Sequence, residues 1–266
     1  MPLSEVINVH RYEDKEWMWF HRDLETYSTD KHVFQHTSGH IVRKGWEWTH
    51  CLFGLERLGM LRADHRALGV GAGREPVIFW LSERIREVVA TDLYGNETWA
   101  TQNGAEAPAD ILKDATKYCP RSFGTNVRFQ NADGTDLPYP DGSFDFCWSL
   151  SSIEHFGGHE QSRKAVQEMA RVTRPGGIVC IATEYLLLPD QTHPEFFNKS
   201  EIEHYLIEAT PGLALVDGMC WDLPPHEFLV DQICFSSQGI HRLRRHVVLN
   251  DGHHQWTSFM LFLRRV

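Results

Sequence analysis

The sequence predicts an α/β domain with a largely parallel sheet, on three observations. From His65 onwards short apolar runs alternate with amphipathic stretches, the pattern of strands joined by helices. A glycine run, Gly69-Val70-Gly71-Ala72-Gly73, stands where the first of those strands should turn into a helix. With 42% hydrophobic and 12% aromatic residues, the 266-residue chain can bury a substantial core, which excludes intrinsic disorder.

Each element follows from its local pattern. Residues 1 to about 62 read as an N-terminal helical elaboration, in which Ile41 to Leu58 carries apolar residues at helical spacing. Arg66 to Val70 is a buried strand running into the glycines. Pro76 to Arg86 is a helix whose proline sits in the first turn, where a missing N–H costs nothing. Val88 to Asp92 is the second strand, Ala109 to Cys119 a helix, and Val127 to Gln130 the third strand. Phe144 to Leu150 is the fourth. Gln161 to Val172 is a helix ended by Arg174-Pro175-Gly176-Gly177, and Ile178 to Thr183 is the fifth strand. Ser200 to Ala209 is a helix, with Ser200 as N-cap and Glu203 at the capping-box position. Leu213 to Val216 and Ser258 to Leu263 are two closing strands. The insertion at about 219–256 is too long for an ordinary connection, so function or assembly is expected there.

Composition narrows the partners. Thirty-six acidic against 26 basic residues leave a net charge of −10, which does not attract a phosphate backbone, so no nucleic-acid partner is expected. The basic cluster His241-Arg242-Leu243-Arg244-Arg245-His246 reads as a solvated edge. No stretch approaches the roughly 18 consecutive apolar residues of a membrane span, and Met1 to Glu16 lacks the apolar run of a secretory signal. Six scattered cysteines without a C-x-x-C pair point to buried, reduced thiols and a cytoplasmic location.

The glycine run lets a backbone press against a ligand while the following helix N-terminus offers free N–H groups. Asp92, at the end of the next strand, is placed to take both hydroxyls of an adenosine ribose, and Asp133, after the third, to accept from an adenine amine. Four blocks then carry a resemblance: ALGVGAG at 67–73, VVATDLYG at 88–95, NADGTDLPYPDGSFDFCWSLSSIEHF at 131–156 and EMARVTRPGGIVCIATE at 168–184. In them the chain resembles the class I S-adenosylmethionine-dependent methyltransferases. The resemblance implies a Rossmann-like, seven-stranded, mostly parallel sheet with helices on both faces and an antiparallel last strand. It implies S-adenosylmethionine as cofactor, with the loop of Gly69, Gly71 and Gly73 on the methionine part, Asp92 on the ribose, and Asp133 with Gly134 on the adenine. Leu93 and Ser149 complete the donor set.

Two positions depart from that family's pattern. Gly69 stands where an acidic residue usually opens the glycine motif, and Glu75 where its third glycine usually falls. The acidic contact to the methionine amino group must come from elsewhere, with Glu75 or Glu47 as suppliers. A nicotinamide-dependent oxidoreductase would share the first two blocks. The N-terminal helix and the block around Asp133 favour the methyl donor, and a ligand-binding protein without turnover stays open as an alternative.

Methyl transfer from a sulfonium needs alignment and water exclusion, and a hydroxyl acceptor also needs its proton removed. His155, just after the fourth strand, is the leading general base, with Glu154 to orient it or to contact the acceptor. The alternative is that His155 packs against or caps the following helix. His193 and His226 are further candidates, and His253-His254 beside Trp256 reads as a solvent-facing pair. Asp190, His193, Glu195 and Asp222 match no strong metal template, so no metal is expected. Trp17, Trp19, Trp46, Trp48, Trp221 and Trp256 flank the donor blocks, and such rings suit a sugar or an aromatic hydroxylated acceptor unless they are core. The expected protein is a methyltransferase acting at oxygen on a small molecule or sugar. Residues 1–62 are expected to cap a domain over 63–266, and a homodimer through the insertion is open.

Overall fold

A single eleven-stranded sheet runs through the computed structural model, which describes residues 1–36, 41–95, 107–230, 233–234 and 246–266. Its strands are β1 (Ser4–Val6), β2 (Arg66–Val70), β3 (Glu87–Asp92), β4 (Val127–Asn131), β5 (Phe144–Leu150), β6 (Thr173–Leu186), β7 (Leu213–Leu215), β8 (Met219–Cys220), β9 (Ile233–Cys234), β10 (Leu249–Asn250) and β11 (Gln255–Arg265). The order is β4-β3-β2-β5-β6-β11-β1-β8, parallel from β4 to β6, with β11 antiparallel to β6. β5 and β6 bury nearly every residue, as strands covered on both faces must.

The seven expected strands are β2 to β7 and β11, and four short ones enlarge the sheet beyond seven. One lies in the segment expected to be helical: β1 pairs antiparallel with β11 and parallel with β8. The reason is β11 itself, whose eleven residues offer more edge than β7 covers, since β7 takes only Leu263 to Arg265. Ser4-Glu5-Val6 fills the vacant stretch opposite Phe259 and Met260.

Two helices follow β1. Asp14 caps α1 (Lys15–Glu25) by accepting from the Glu16 and Trp17 amides at 2.9 and 3.3 Å. α2 (Arg43–Arg57) lies so close to β11 that a Cβ on Gly54 would sit 2.2 Å from the Phe262 ring. α3 (Pro76–Ser82) is shorter than expected, and α4 (His159–Val172) begins two residues earlier.

Other local differences have local causes. The expected helix at 109–119 is two 3-10 turns, because the Asp114 carboxylate accepts from the Thr116 amide at 3.0 Å and restarts the chain there. The later helix starts at Lys199, capped by Asn198 rather than Ser200. Asn198 and Glu201 satisfy each other's amides at 3.0 and 2.8 Å, and the Ser200 hydroxyl donates to Asn198 instead of capping. From Ile202 to Glu208 that helix widens to π geometry. β6 absorbs the Arg174-Pro175-Gly176-Gly177 turn, with a register shift against Phe144–Phe146 of β5. Of the flanking tryptophans, Trp17, Trp46 and Trp256 are core and Trp19 is exposed.

Candidate functional site

One cavity of about 920 Å³ opens at the carboxyl ends of β2, β3 and β5, near the upper end of the range for small-molecule sites. The loop between β2 and α3 forms one wall. Its Ala72 amide donates to the Thr91 carbonyl, its Gly73 amide to Asp92 Oδ2 at 2.9 Å, and the Tyr94 hydroxyl donates to the Gly73 carbonyl at 2.8 Å. Gly71 has φ +62°, and a Cβ there would lie 2.6 Å from the Ser152 side chain, so a larger residue would obstruct the loop.

Of the residues expected from sequence, Gly71, Gly73, Glu75, Asp92, Leu93, Asp133, Gly134 and His155 line this cavity. Three do not. Gly69 lies within β2, where it is a packing residue: a Cβ would come within 2.5 Å of the Trp148 indole. Ser149 is buried within β5 and its hydroxyl has no partner among the described residues. Glu154 is buried and absent from the lining; it accepts from the Thr183 hydroxyl at 3.3 Å, and its other oxygen has no partner among the described residues. Burial, with the Glu184 carboxylate nearby, pushes the Glu154 carboxyl up to about 7 despite the pull of His155.

Glu75 stands at the entry to α3 and accepts from the Trp148 indole N–H at 3.1 Å. Burial pushes its carboxyl up to about 8, with the Lys44 ammonium and the Trp148 N–H pulling the other way. A carboxyl that burial holds in its neutral form while its residue lines the cavity ionises more readily when a cation comes alongside. Asp133 Oδ1 is turned onto the amide and hydroxyl of Thr135, both at 2.8 Å, which fixes the loop beyond β4. His155 Nδ1 lies 3.3 Å from Glu195 Oε2, a carboxylate that the sequence did not single out beside it, and the charge of His155 also acts on Glu154.

A second wall comes largely from the N-terminal segment: Trp48, one of the flanking rings singled out in the sequence, lies on it, together with Val42, Lys44 and, from the far end of the chain, His246, none of which was expected there. Arg43 and Lys44 occupy the first turn of α2, where a helix disfavours cations. They are held there by carboxylates. Arg43 pairs with Glu184 at 2.5 Å and Glu47 at 3.1 Å, and Lys44 reaches Glu47 at 3.1 Å and the Leu150 carbonyl at 3.0 Å. The basic pair at a helix start was the legible signal. Glu47 is spent in this network and does not line the cavity.

Among the other histidines, His193 Nδ1 accepts from the Glu195 and Phe196 amides at 3.1 and 3.0 Å, an internal cap of its loop. His254 pairs with Asp251 at 2.9 Å. Of the basic cluster at 241–246, residues 241–245 lie outside those described, and His246 is buried rather than solvated. Cys51, Cys119, Cys147 and Cys180 are buried free thiols.

Residues 68–181 match the family model described as a methyltransferase domain. The chain is 30% identical over 124 residues to the uncharacterized methyltransferase YcgJ of Bacillus subtilis (strain 168), covering 47% of this chain and 42% of that protein. It is 36% identical over 129 residues to the methyltransferase GfsG of Streptomyces halstedii, covering 48% and 40%. It is 32% identical over 130 residues to 27-O-demethylrifamycin SV methyltransferase of Amycolatopsis mediterranei (strain S699), covering 48% and 42%. The matched region thus spans less than half the length of these curated relatives. Among solved structures, a chain from the complex of the Haloferax volcanii Trm112 methyltransferase activator with a methyltransferase superposes with TM-score 0.50 at 15% identity. That superposition covers 95% of this chain and 98% of the other, and it shows a shared fold. Residues 68–181 thus carry a methyltransferase domain of the class I S-adenosylmethionine-dependent type, for which S-adenosylmethionine is the cofactor. The cavity wall of Gly71, Gly73, Asp92 and Asp133 suits it, with a glycine cradle that a Cβ would fill and carboxylates for an adenosine.

Proposed function

We propose that the chain transfers a methyl group from S-adenosylmethionine to a hydroxyl of a small molecule or sugar. When bound, the donor supplies a methyl group on a sulfonium. The acceptor oxygen forms the new bond to that carbon as the carbon–sulfur bond breaks, and the electron pair stays on sulfur to give S-adenosylhomocysteine. Asp92 accepts from the ribose hydroxyls, Asp133 and Gly134 bound the adenine, and Leu93, half exposed at the rim, covers its face. Glu75 receives the methionine ammonium.

His155 takes the acceptor proton, and the observation that carries this role is its place on the cavity wall beside the Gly71 loop, with Glu195 at its Nδ1. The name of the rifamycin relative, an O-methyltransferase, supports oxygen as the target. Residues 1–62 and the insertion at about 219–256 act as the lid, supported by Val42, Lys44, Trp48 and His246 on the wall. The buried free cysteines support a reducing, cytoplasmic setting, and no described helix is long and apolar enough to cross a membrane. A homodimer through the insertion is tested by light scattering.

The experiment is a transfer assay with methyl-labelled S-adenosylmethionine against hydroxylated sugars, phenols and polyketides. Label should move to at least one hydroxyl, and His155→Ala should lower kcat by about 10²–10⁴-fold with donor affinity intact. Unchanged kcat at saturating acceptor across the pH range removes His155 as the base. Donor binding without transfer to any class of nucleophile would leave a ligand-binding protein.

A further inference from the structure

His246 poses a question that the donor site does not answer. The residue lines the cavity, yet it is only 7% exposed, and both ring nitrogens are buried without a partner among the described residues. A buried polar group without a partner costs about 1–3 kcal/mol, and native proteins keep few of them without a use. The backbone holds this one in place from both sides. Its amide donates to the Ile41 carbonyl at 2.7 Å, and its carbonyl accepts from the Arg43 amide at 2.9 Å, as a bridge beside Val42. The residue is therefore held against the stretch that carries Val42 and Lys44, both of which line the cavity with it.

The charges around it decide which ligand fits. Burial, and then the Arg43 guanidinium, push the imidazole down to about 3, with Glu47 opposing and Lys44 adding to the effect. The ring stays neutral at any physiological pH, with one N–H donor and one lone pair. Lys44, which lines this wall, is matched by Glu47, and the adjacent Arg43 by Glu184 and Glu47, so among the described residues the wall's cations already have carboxylates. A neutral ring that donates and accepts is complementary to a group that does both, which is a hydroxyl. So weak a base is suited to holding that group rather than deprotonating it, which leaves proton removal to His155.

We propose that His246 is the residue that recognises the methyl acceptor, its buried imidazole hydrogen-bonding an acceptor hydroxyl at the N-terminal wall of the cavity. This rests on the O-methyltransferase reading above, and it names a partner for a group that has none among the described residues.

The test compares wild type with His246→Leu and His246→Gln, using S-adenosylhomocysteine as the donor-site probe. His246→Leu should bind S-adenosylhomocysteine within twofold of wild type. Its melting temperature should rise by about 2–4 °C, because an unsatisfied polar group has been replaced by an apolar one. With an acceptor from the labelled screen, His246→Leu should raise KM tenfold or more, and His246→Gln should recover part of that. A tenfold loss of S-adenosylhomocysteine affinity would instead assign the ring to the donor. A melting temperature lowered by several degrees with donor affinity intact would make it structural, and an unchanged acceptor KM would overturn the proposal directly. Wild type that binds no S-adenosylhomocysteine fails the donor reading. Wild type that binds it but methylates only amines, carboxylates or carbon fails the hydroxyl reading, and each of these differs from a failure of His246 alone.

Discussion

Glu75 replaces a glycine of the family's pattern with a carboxyl that burial holds at about 8, close to the ordinary range of an α-amino group at about 7.7–8.0. The pair it would form with a methionine ammonium shares one proton. Below both values the free partners hold two protons, so binding releases one and tightens as pH rises. Above both they hold none, so binding takes one up and weakens as pH rises further. Donor affinity should therefore peak near pH 8, and Glu75→Gln should flatten the acid limb, as read by calorimetry in buffers of different ionisation enthalpy. The same carboxyl affects stability. Its folded value exceeds the ordinary 4.5, so its own contribution to the stability of the unliganded protein should fall as pH rises from about 4.5 to 8, and the difference in stability between wild type and Glu75→Gln in urea titrations should change by that contribution over this range. Asp92 serves two masters, since its Oδ2 already holds the Gly73 amide. Asp92→Ala should weaken S-adenosylhomocysteine binding by about 1.5–3 kcal/mol, and an unaltered affinity would reject the ribose assignment.

α2 brings the N-terminal segment to the site. Its first turn carries two cations against the helix dipole, and the carboxylates of Glu47 and Glu184 make that tolerable. Glu184 belongs to β6 and Ser258, another Arg43 partner at 3.0 Å, to β11, so the guanidinium ties the helix to two central strands. Removing the guanidinium leaves the buried Glu184 carboxylate without its cation, while Glu47 keeps Lys44. Arg43→Ala should cost about 3–5 kcal/mol in denaturant titrations, whereas Arg43→Met with Glu184→Leu should cost far less. At a lesser element the effect is smaller. Asn198→Ala should lose about 1 kcal/mol as a cap, and Ser200→Ala, at the position that sequence reading favoured, only a few tenths of that.

In the whole molecule, loop, α2 and insertion meet around one cavity, so a ligand in it contacts segments that are far apart in the chain. Such a ligand binds the folded state alone. S-adenosylhomocysteine at 100 times its Kd should add about 2.7 kcal/mol, a rise of roughly 5–10 °C in melting temperature for a domain of this size. NADH at the same excess should add nothing, which separates the methyl donor from the nicotinamide alternative that shares the glycine turn. The cavity walls also differ in origin. The donor wall lies within the 68–181 match to the methyltransferase domain, and the wall with Lys44, Trp48 and His246 lies outside it. Specificity for the acceptor should follow the second wall, so substitutions there should change KM for acceptor and leave donor affinity unchanged.

The sequence by itself determined the α/β class, the strands β2, β3, β4 and β5 within a residue of their ends, and the grouping of Gly71, Gly73, Asp92 and Asp133 on one cavity wall. These are local properties: period-two and unbroken apolar runs, glycines at a strand end, and carboxylates at the tips of neighbouring strands. Tertiary structure decided what depends on distant partners. Ser4 to Val6 became a strand because β11 had an open edge, Glu154 was buried off the cavity lining while Glu195 came beside His155, and Asn198 outcompeted Ser200 as a cap. His246 shows the limit most sharply. In sequence it closes a basic run and reads as solvated, yet pairing with Ile41 and Arg43 carries it into the cavity and burial strips its charge. Charge runs report composition along the chain. Whether a member of one meets water or a ligand is settled by contacts about two hundred residues away, which no local pattern encodes.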